Sequence, residues 1–205
     1  SGVQVPAADL HIDSTVPAGA GLSSSAAVEC AVALALLSLA GTTLPPREVA
    51  RIAKKAENEF VGAPTGSMDQ VASMLSQRDS LLFFDTGLDT TRNVPFPLAE
   101  NGFHLLVIDT HAHHQLVTDE YGERRRALEA ATAQLGVTSL REITDPAVVE
   151  NLTDPVLRKR ARHVVTENAR VLRTIELLEA GNFDDIGSIL IAGHASLRDD
   201  LEVSC

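Results

Sequence analysis

The chain has 205 residues, enough for one large domain or two small ones with a real hydrophobic core. Hydrophobic residues make up 44% of it, and no apolar run reaches the roughly 18 residues that a membrane-spanning helix needs. Twenty-eight acidic against seventeen basic residues leave a net charge of −11, which repels phosphate backbones and weighs against nucleic acid or an anionic membrane as a main partner.

The first predicted element is a short strand over Asp9 to Val16, with Leu10, Ile12 and Val16 at even spacing. It feeds Pro17-Ala-Gly-Ala-Gly-Leu-Ser-Ser-Ser-Ala-Ala27, a glycine-rich turn that opens into a helix. The first amides of such a helix are unpaired and point outward with the positive end of the dipole behind them, so the turn is an anion cradle. Gly19 and Gly21 let the backbone approach a phosphate, and Ser23, Ser24 and Ser25 add hydroxyls at the helix mouth. Two familiar phosphate loops are excluded. The only lysines are Lys54, Lys55 and Lys159, none beside a glycine loop, so there is no P-loop lysine. A dinucleotide fingerprint would want a third glycine at Ser24 and an acidic strand end where Leu39-Ala-Gly-Thr42 stands.

The helix from Ser24 to about Ala40 is apolar nearly all round, broken by Glu29 and Ser38, and reads as a buried helix ended by Gly41. A second helix starts at Pro45-Pro46, places Val49, Ile52, Ala53, Ala56 and Phe60 on one face, and stops near Gly62. Glu57 and Glu59 fall in its last turn, where the dipole disfavours an acid; solvation and Lys54 and Lys55 one turn back are the structural account of them. After the turn Gly62 to Gly66, Ser67-Met-Asp-Gln70 has the form of a capping box opening a short helix through Leu75. Asp69 then sits in a first turn, where an acid is favourable in itself.

Leu81 to Asp85, roughly Arg92 to Phe96, and His104 to Asp109 read as strands, with a domain change between Pro97 and Asp109. His111-Ala-His-His114 has no Cys or carboxylate motif nearby to complete a metal site and reads as a polar loop at a strand end. A helix follows from Thr118 to about Leu135, carrying the single tyrosine, Tyr121, and the solvated-looking run Arg124-Arg125-Arg126. A long amphipathic helix from Pro155 to Glu179 should bury Val164, Val165, Ala169, Leu172, Ile175 and Leu178, and a last helical stretch runs from Ile186 to Glu202. Cys30 lies in an apolar helix and Cys205 is the final residue, so no disulfide framework is visible; with no signal-like amino terminus, a reducing cytoplasm is expected.

Four segments resemble one family. Pro17 to Ala26 is similar to the second signature of the GHMP kinase superfamily, its triple serine to the galactokinase branch. Ala56-Glu-Asn-Glu-Phe-Val-Gly-Ala-Pro-Thr-Gly-Ser-Met-Asp-Gln70 is similar to the galactokinase stretch that provides a magnesium-binding glutamate, a sugar-contacting glycine and the aspartate placed against the reacting hydroxyl. Glu120-Tyr-Gly-Glu-Arg-Arg125 resembles the segment whose tyrosine contacts the sugar, and Gly193-His-Ala-Ser-Leu-Arg-Asp-Asp-Leu-Glu-Val-Ser-Cys205 resembles a further segment of the same family. The resemblance implies an α+β fold of GHMP-kinase type: a ribosomal-protein-S5-domain-2-like part in residues 1–103 and a partial ferredoxin-like, helix-rich part in residues 104–205. It implies ATP and Mg²⁺ as cofactors and ATP-dependent phosphorylation of galactose at its C1 hydroxyl. Gly19, Ala20, Gly21, Leu22, Ser23, Ser24 and Ser25 would hold the ATP phosphates, Ser25 and Glu57 the magnesium, Gly66, Asp69 and Tyr121 the sugar, with Asp69 the catalytic residue. The family's amino-terminal Gly-Glu-His-Thr-Asp signature and its carboxy-terminal glycine-rich motif have no counterpart in these residues. The chain therefore reads as the middle of a longer protein and is expected to be inactive, or nearly so, alone. A non-catalytic sugar or nucleotide sensor and a kinase for N-acetylgalactosamine or arabinose are the alternatives, and the oligomeric state is left open.

Overall fold

The structure is a computed structural model that describes residues 2–17, 19–62, 65–108 and 119–204, with side chains from residue 122 onward in the last segment. The expected polar loop at His111 to His114, the cap at Thr118 and the side chain of Tyr121 lie outside the described residues. The chain divides into two compact units, Ser1–Val117 and Thr118–Cys205. Among the described residues no helix is long and apolar enough to cross a membrane.

In the first unit three helices, α1 (Ser24–Leu39), α2 (Pro46–Ala56) and α3 (Met68–Leu75), pack against one another. Proline at the start of α2 sets the helical φ without forfeiting a needed N–H. Val49, Ala50 and Ala53 then form its buried stripe, against Ala26, Cys30 and Leu37 of α1 and Val71 of α3. The small alanines bring the helices close enough for the Cys30 thiol to reach the Gln70 carbonyl at 3.9 Å. The expectation that α1 is buried all round is not met: Val28, Leu34 and Leu39 are exposed, because α2 and α3 cover only one side of it.

The second helix ends differently from its pattern. Glu57–Val61 is a π-helical turn closed by Gly62 in a left-handed conformation (φ 77°). The wider turn breaks the 3.6-residue period, so Phe60, expected on the buried face, is 88% exposed, while Glu57, one turn after Ala53, keeps the register of Val49 and Ala53 and is buried. The helix α3 forms where expected, but Ser67 makes no side-chain cap; the capping-box residue Gln70 turns its amide inward instead. Charged acceptors inside the unit win over a backbone N–H.

The sheet is a hairpin of β1 (Ser80–Asp85) and β2 (Thr90–Pro95), paired antiparallel from Ser80 opposite Pro95 to Asp85 opposite Thr90. Asp85 Oδ1 accepts from the amides of Gly87 and Leu88 and so closes the turn. Arg47 of α2 donates to Asp89 at 2.6 Å and Thr91 at 2.8 Å and holds the hairpin to the helices. The strands expected over Asp9 to Val16 and from His104 do not form among the described residues. Leu10, Ile12, Leu105 and Leu106 stand exposed, since a strand exists only where a neighbour takes its backbone hydrogen bonds.

The second unit is helical: α4 (Asp119–Gln134), α5 (Pro155–Glu179) and α6 (Ile186–Ser196), joined by 3₁₀ turns. Its core gathers Ala131, Leu140, Ile143, Val149, Leu152, Leu157, Ala161 and Val165. Within α5, Val165, Ile175 and Leu178 are buried as expected, whereas Ala169 and Leu172 are exposed. Arg124 is not part of a merely solvated face: its guanidinium donates to the carbonyls of Leu201 and Glu202, where a π-helical turn, Leu197–Leu201, leaves carbonyls without intrahelical partners.

One buried polar chain ties α5 to α6. The Ser196 hydroxyl donates to Asp200 Oδ2 at 3.0 Å, which leaves its oxygen to accept from His163 Nδ1 at 3.0 Å. Burial pushes the His163 imidazole below its ordinary value, against the opposing influence of Glu167. The folded unit thus prefers neutral imidazole, and below about pH 6.5 the unfolded chain takes up a proton that the folded chain resists. Denaturant unfolding is expected to show stability falling as pH drops below about 6.5, by at most about 1.4 kcal/mol per pH unit for this group. His163→Asn should lose that dependence; an unchanged slope would remove His163 as its source.

Candidate functional site

The turn before α1 follows the path the glycines permit. Gly19 and Gly21 both adopt positive φ (76° and 70°), which side-chain-bearing residues resist. Ser23 adopts it too (φ 54°, ψ 40°), at a cost of roughly 1 kcal/mol or more for a non-glycine. Its side chain caps nothing, so an ordinary serine N-cap does not explain the run. The first intrahelical bond runs from the Ala27 amide to the Ser23 carbonyl at 3.1 Å, which leaves the amides of Ser24, Ser25 and Ala26 without helical partners. No acidic residue lies in this first turn. Ala20 is half-buried, and Leu22 and Ser25 are exposed.

Below the loop lies a network centred on Glu57, which is only 6% exposed. Its Oε1 accepts from the Ser25 hydroxyl at 3.0 Å, and its Oε2 accepts from Thr65 Oγ1 and Gln70 Nε2, both at 2.7 Å. Ser25, Thr65 and Gln70, between 8 and 32 positions from Glu57, therefore meet at its carboxylate. The account of Glu57 as a solvated acid fails, while Glu59 fits it, exposed and 3.7 Å from Lys55. Burial would raise the Glu57 carboxyl, but the hydrogen bonds from Thr65, Gln70 and Ser25 hold it below the ordinary value. Glu29, one turn after Ser25 on α1, completes the network by accepting from Gln70 Nε2 at 3.2 Å. Burial pushes the Glu29 carboxyl up, the Gln70 hydrogen bond opposes this, and the charge of Glu57 adds to it. Gln70 is 1% exposed, and its Oε1 has no partner among the described residues.

Glu29, Thr65 and Gln70 were missed as members of this network by sequence reasoning. An acid interrupting an apolar helix four residues after Ser25 was the available sign of the first. Asp69 stands beside Gln70 in the first turn of α3, half-buried, with no hydrogen bond or ion pair among the described residues. Gly66 follows Thr65 in the same turn. Its φ is not positive and no atom lies within 4 Å of where a Cβ would stand, so neither backbone strain nor packing among the described residues requires a glycine there. Tyr121 belongs to the first turn of α4, in the second unit.

The donor set suits a magnesium ion. The Ser25 hydroxyl and the Glu57 carboxylate, joined by a hydrogen bond, are hard oxygen ligands of the kind this ion takes. Among the described residues no group of three or more His, Cys, Asp or Glu could hold a metal. Magnesium does not need one, since it commonly takes one or two protein ligands and fills its shell with phosphate and water oxygens.

Comparison with known proteins points to one family. Residues 1–77 match the family described as GHMP kinases N terminal domain. The α+β fold is of GHMP-kinase type. Over its whole length its relatives are galactokinases: it is 46% identical over 209 residues to the galactokinase of Streptomyces coelicolor, covering 100% of this chain and 54% of that one. It is 41% identical over 204 residues to that of Thermotoga neapolitana, covering 100% of this chain and 57% of the relative. Among solved structures it is similar to Lactococcus lactis galactokinase complexed with galactose, with a TM-score of 0.79 and 29% identity, covering 93% of this chain and 50% of that one. The chain spans about half the length of the curated relatives it matches.

Proposed function

We propose that the full-length protein is an ATP-dependent sugar kinase that transfers the γ-phosphoryl group to the C1 hydroxyl of galactose. One observation carries this reading: the hydrogen bond between Ser25 and Glu57, which joins the serine loop to the glutamate in a chain similar to galactokinases from end to end. The loop Gly19 to Ser25 binds the ATP phosphates through the open amides of α1. Ser25 and Glu57 hold Mg²⁺, which when bound offsets the negative charge on the β- and γ-phosphates. Gly66 and Tyr121 contact the sugar. Residues 1–103 and 104–205 are then parts of the amino- and carboxy-terminal kinase domains, working in the cytoplasm.

Asp69 orients the C1 hydroxyl and takes its proton as the new O–P bond forms and the bond to ADP breaks. Phosphoryl transfer has a loose transition state, so a carboxylate serves by position and charge and a strong base is unnecessary. Galactose-dependent ADP release by the full-length protein, with galactose 1-phosphate identified by phosphorus NMR, is the expected result. Release with N-acetylgalactosamine or arabinose alone would reassign the sugar. Nucleotide or sugar binding with no release would leave a sensor.

A further inference from the structure

The Glu57 carboxylate is not free to turn. Both donors from outside the serine loop, Thr65 and Gln70, grip Oε2, and this leaves Oε1 facing Ser25. Thr65 lies in a turn, whereas Gln70 is fixed in α3 and fully buried. Its amide nitrogen has two hydrogens and both go to carboxylates, one to Glu57 at 2.7 Å and one to Glu29 at 3.2 Å. With two acids on the same side, the amide has one orientation: turned over, its oxygen would face both carboxylates. Holding that orientation leaves Oε1 of Gln70 without a partner, an arrangement that packing and stability alone do not favour.

We propose that Gln70 is a positioning residue that aims Oε1 of Glu57 at the metal of the bound nucleotide, and that Glu29 locks the Gln70 amide in the required orientation. The inference rests on the metal-holding role proposed above for Glu57. Groups that orient a metal ligand in this way commonly change metal affinity 10–100-fold when removed.

The test is Mn²⁺ binding to the full-length protein in the presence of a β,γ-imido ATP analogue, followed by electron paramagnetic resonance. Gln70→Met keeps the length and volume of the side chain and removes both donors and the unpartnered oxygen. It should weaken Mn²⁺ binding about tenfold or more, with metal-free nucleotide affinity unchanged and thermal stability lowered by the loss of the hydrogen bond to Glu57. Wild-type Mn²⁺ affinity in this variant overturns the proposal. Should Gln70→Met fail to fold, Glu29→Gln decides: it frees the amide to turn over and should weaken Mn²⁺ several-fold, and no change overturns the proposal. Glu57→Ala separates the two levels. Intact Mn²⁺ binding there rejects the role of Glu57 itself, whereas loss there with an unaffected Gln70→Met rejects only the positioning.

Discussion

Asp69→Ala in the full-length protein is expected to lower kcat for sugar phosphorylation by about 10²- to 10⁴-fold, the span a positioned general base contributes, while ATP binding and the folding transition stay as in the wild type. The structure supplies the reason the two effects separate. Asp69 is half-buried in the first turn of α3 and makes no hydrogen bond or ion pair among the described residues, so no packing or network depends on it. What the helix loses is a favourable charge at its positive end, about 0.3–1 kcal/mol. Steady-state kinetics beside calorimetric titration with ATP measures both. Activity near wild type would reject Asp69 as the catalytic residue, and lost ATP binding would move it from the sugar to the nucleotide.

Glu57→Ala is expected to fail in the opposite manner, losing stability and metal binding together. The carboxylate is the acceptor for Ser25, Thr65 and Gln70, and the Gln70 amide is buried where water does not replace it. Hydrogen bonds to a charged group contribute about 1.5–3 kcal/mol each, and a buried donor left without its acceptor adds to the loss. A decrease of about 3 kcal/mol in unfolding free energy is therefore expected, readable by denaturant titration. The pH dependence has a defined sign. Because the folded carboxyl lies below its ordinary value, its contribution is present above the unfolded value near 4.5 and is lost as pH falls through the folded value. The alanine variant lacks that part of the acid limb. A variant as stable as wild type with the same acid limb would show that Glu57 is not the centre of the network.

The contrast between the two acids was only half legible in the chain. Asp69 and Glu57 were each set beside a bland account, an acid at a helix start and a solvated acid at a helix end. Resemblance rather than spacing raised them above it. The structure removed the bland account for Glu57, by burial and three donors, and for Glu59 kept it. The two strands β1 and β2 were legible, and the structure pairs them locally as a hairpin, with Asp85 and the turn after it setting the register within a few residues. The strands expected over Asp9 to Val16 and from His104 were not decidable in this way, since a strand is completed by its partner and neither segment has one among the described residues.

The sequence by itself determined what depends on near neighbours: the helices and their caps by prolines and glycines, the turn that Gly19 and Gly21 make, and the motifs that mark the family. Only the tertiary structure decided that Glu57 is held by Ser25, Thr65 and Gln70, and that Glu29 shares the same amide. These residues lie between 8 and 41 positions apart along their hydrogen bonds, and no local rule measures such separations. The packing of small alanines between α1, α2 and α3 closes the distance, and the π-helical turn after Ala56 moves Phe60 off the buried face while Glu57 stays on it.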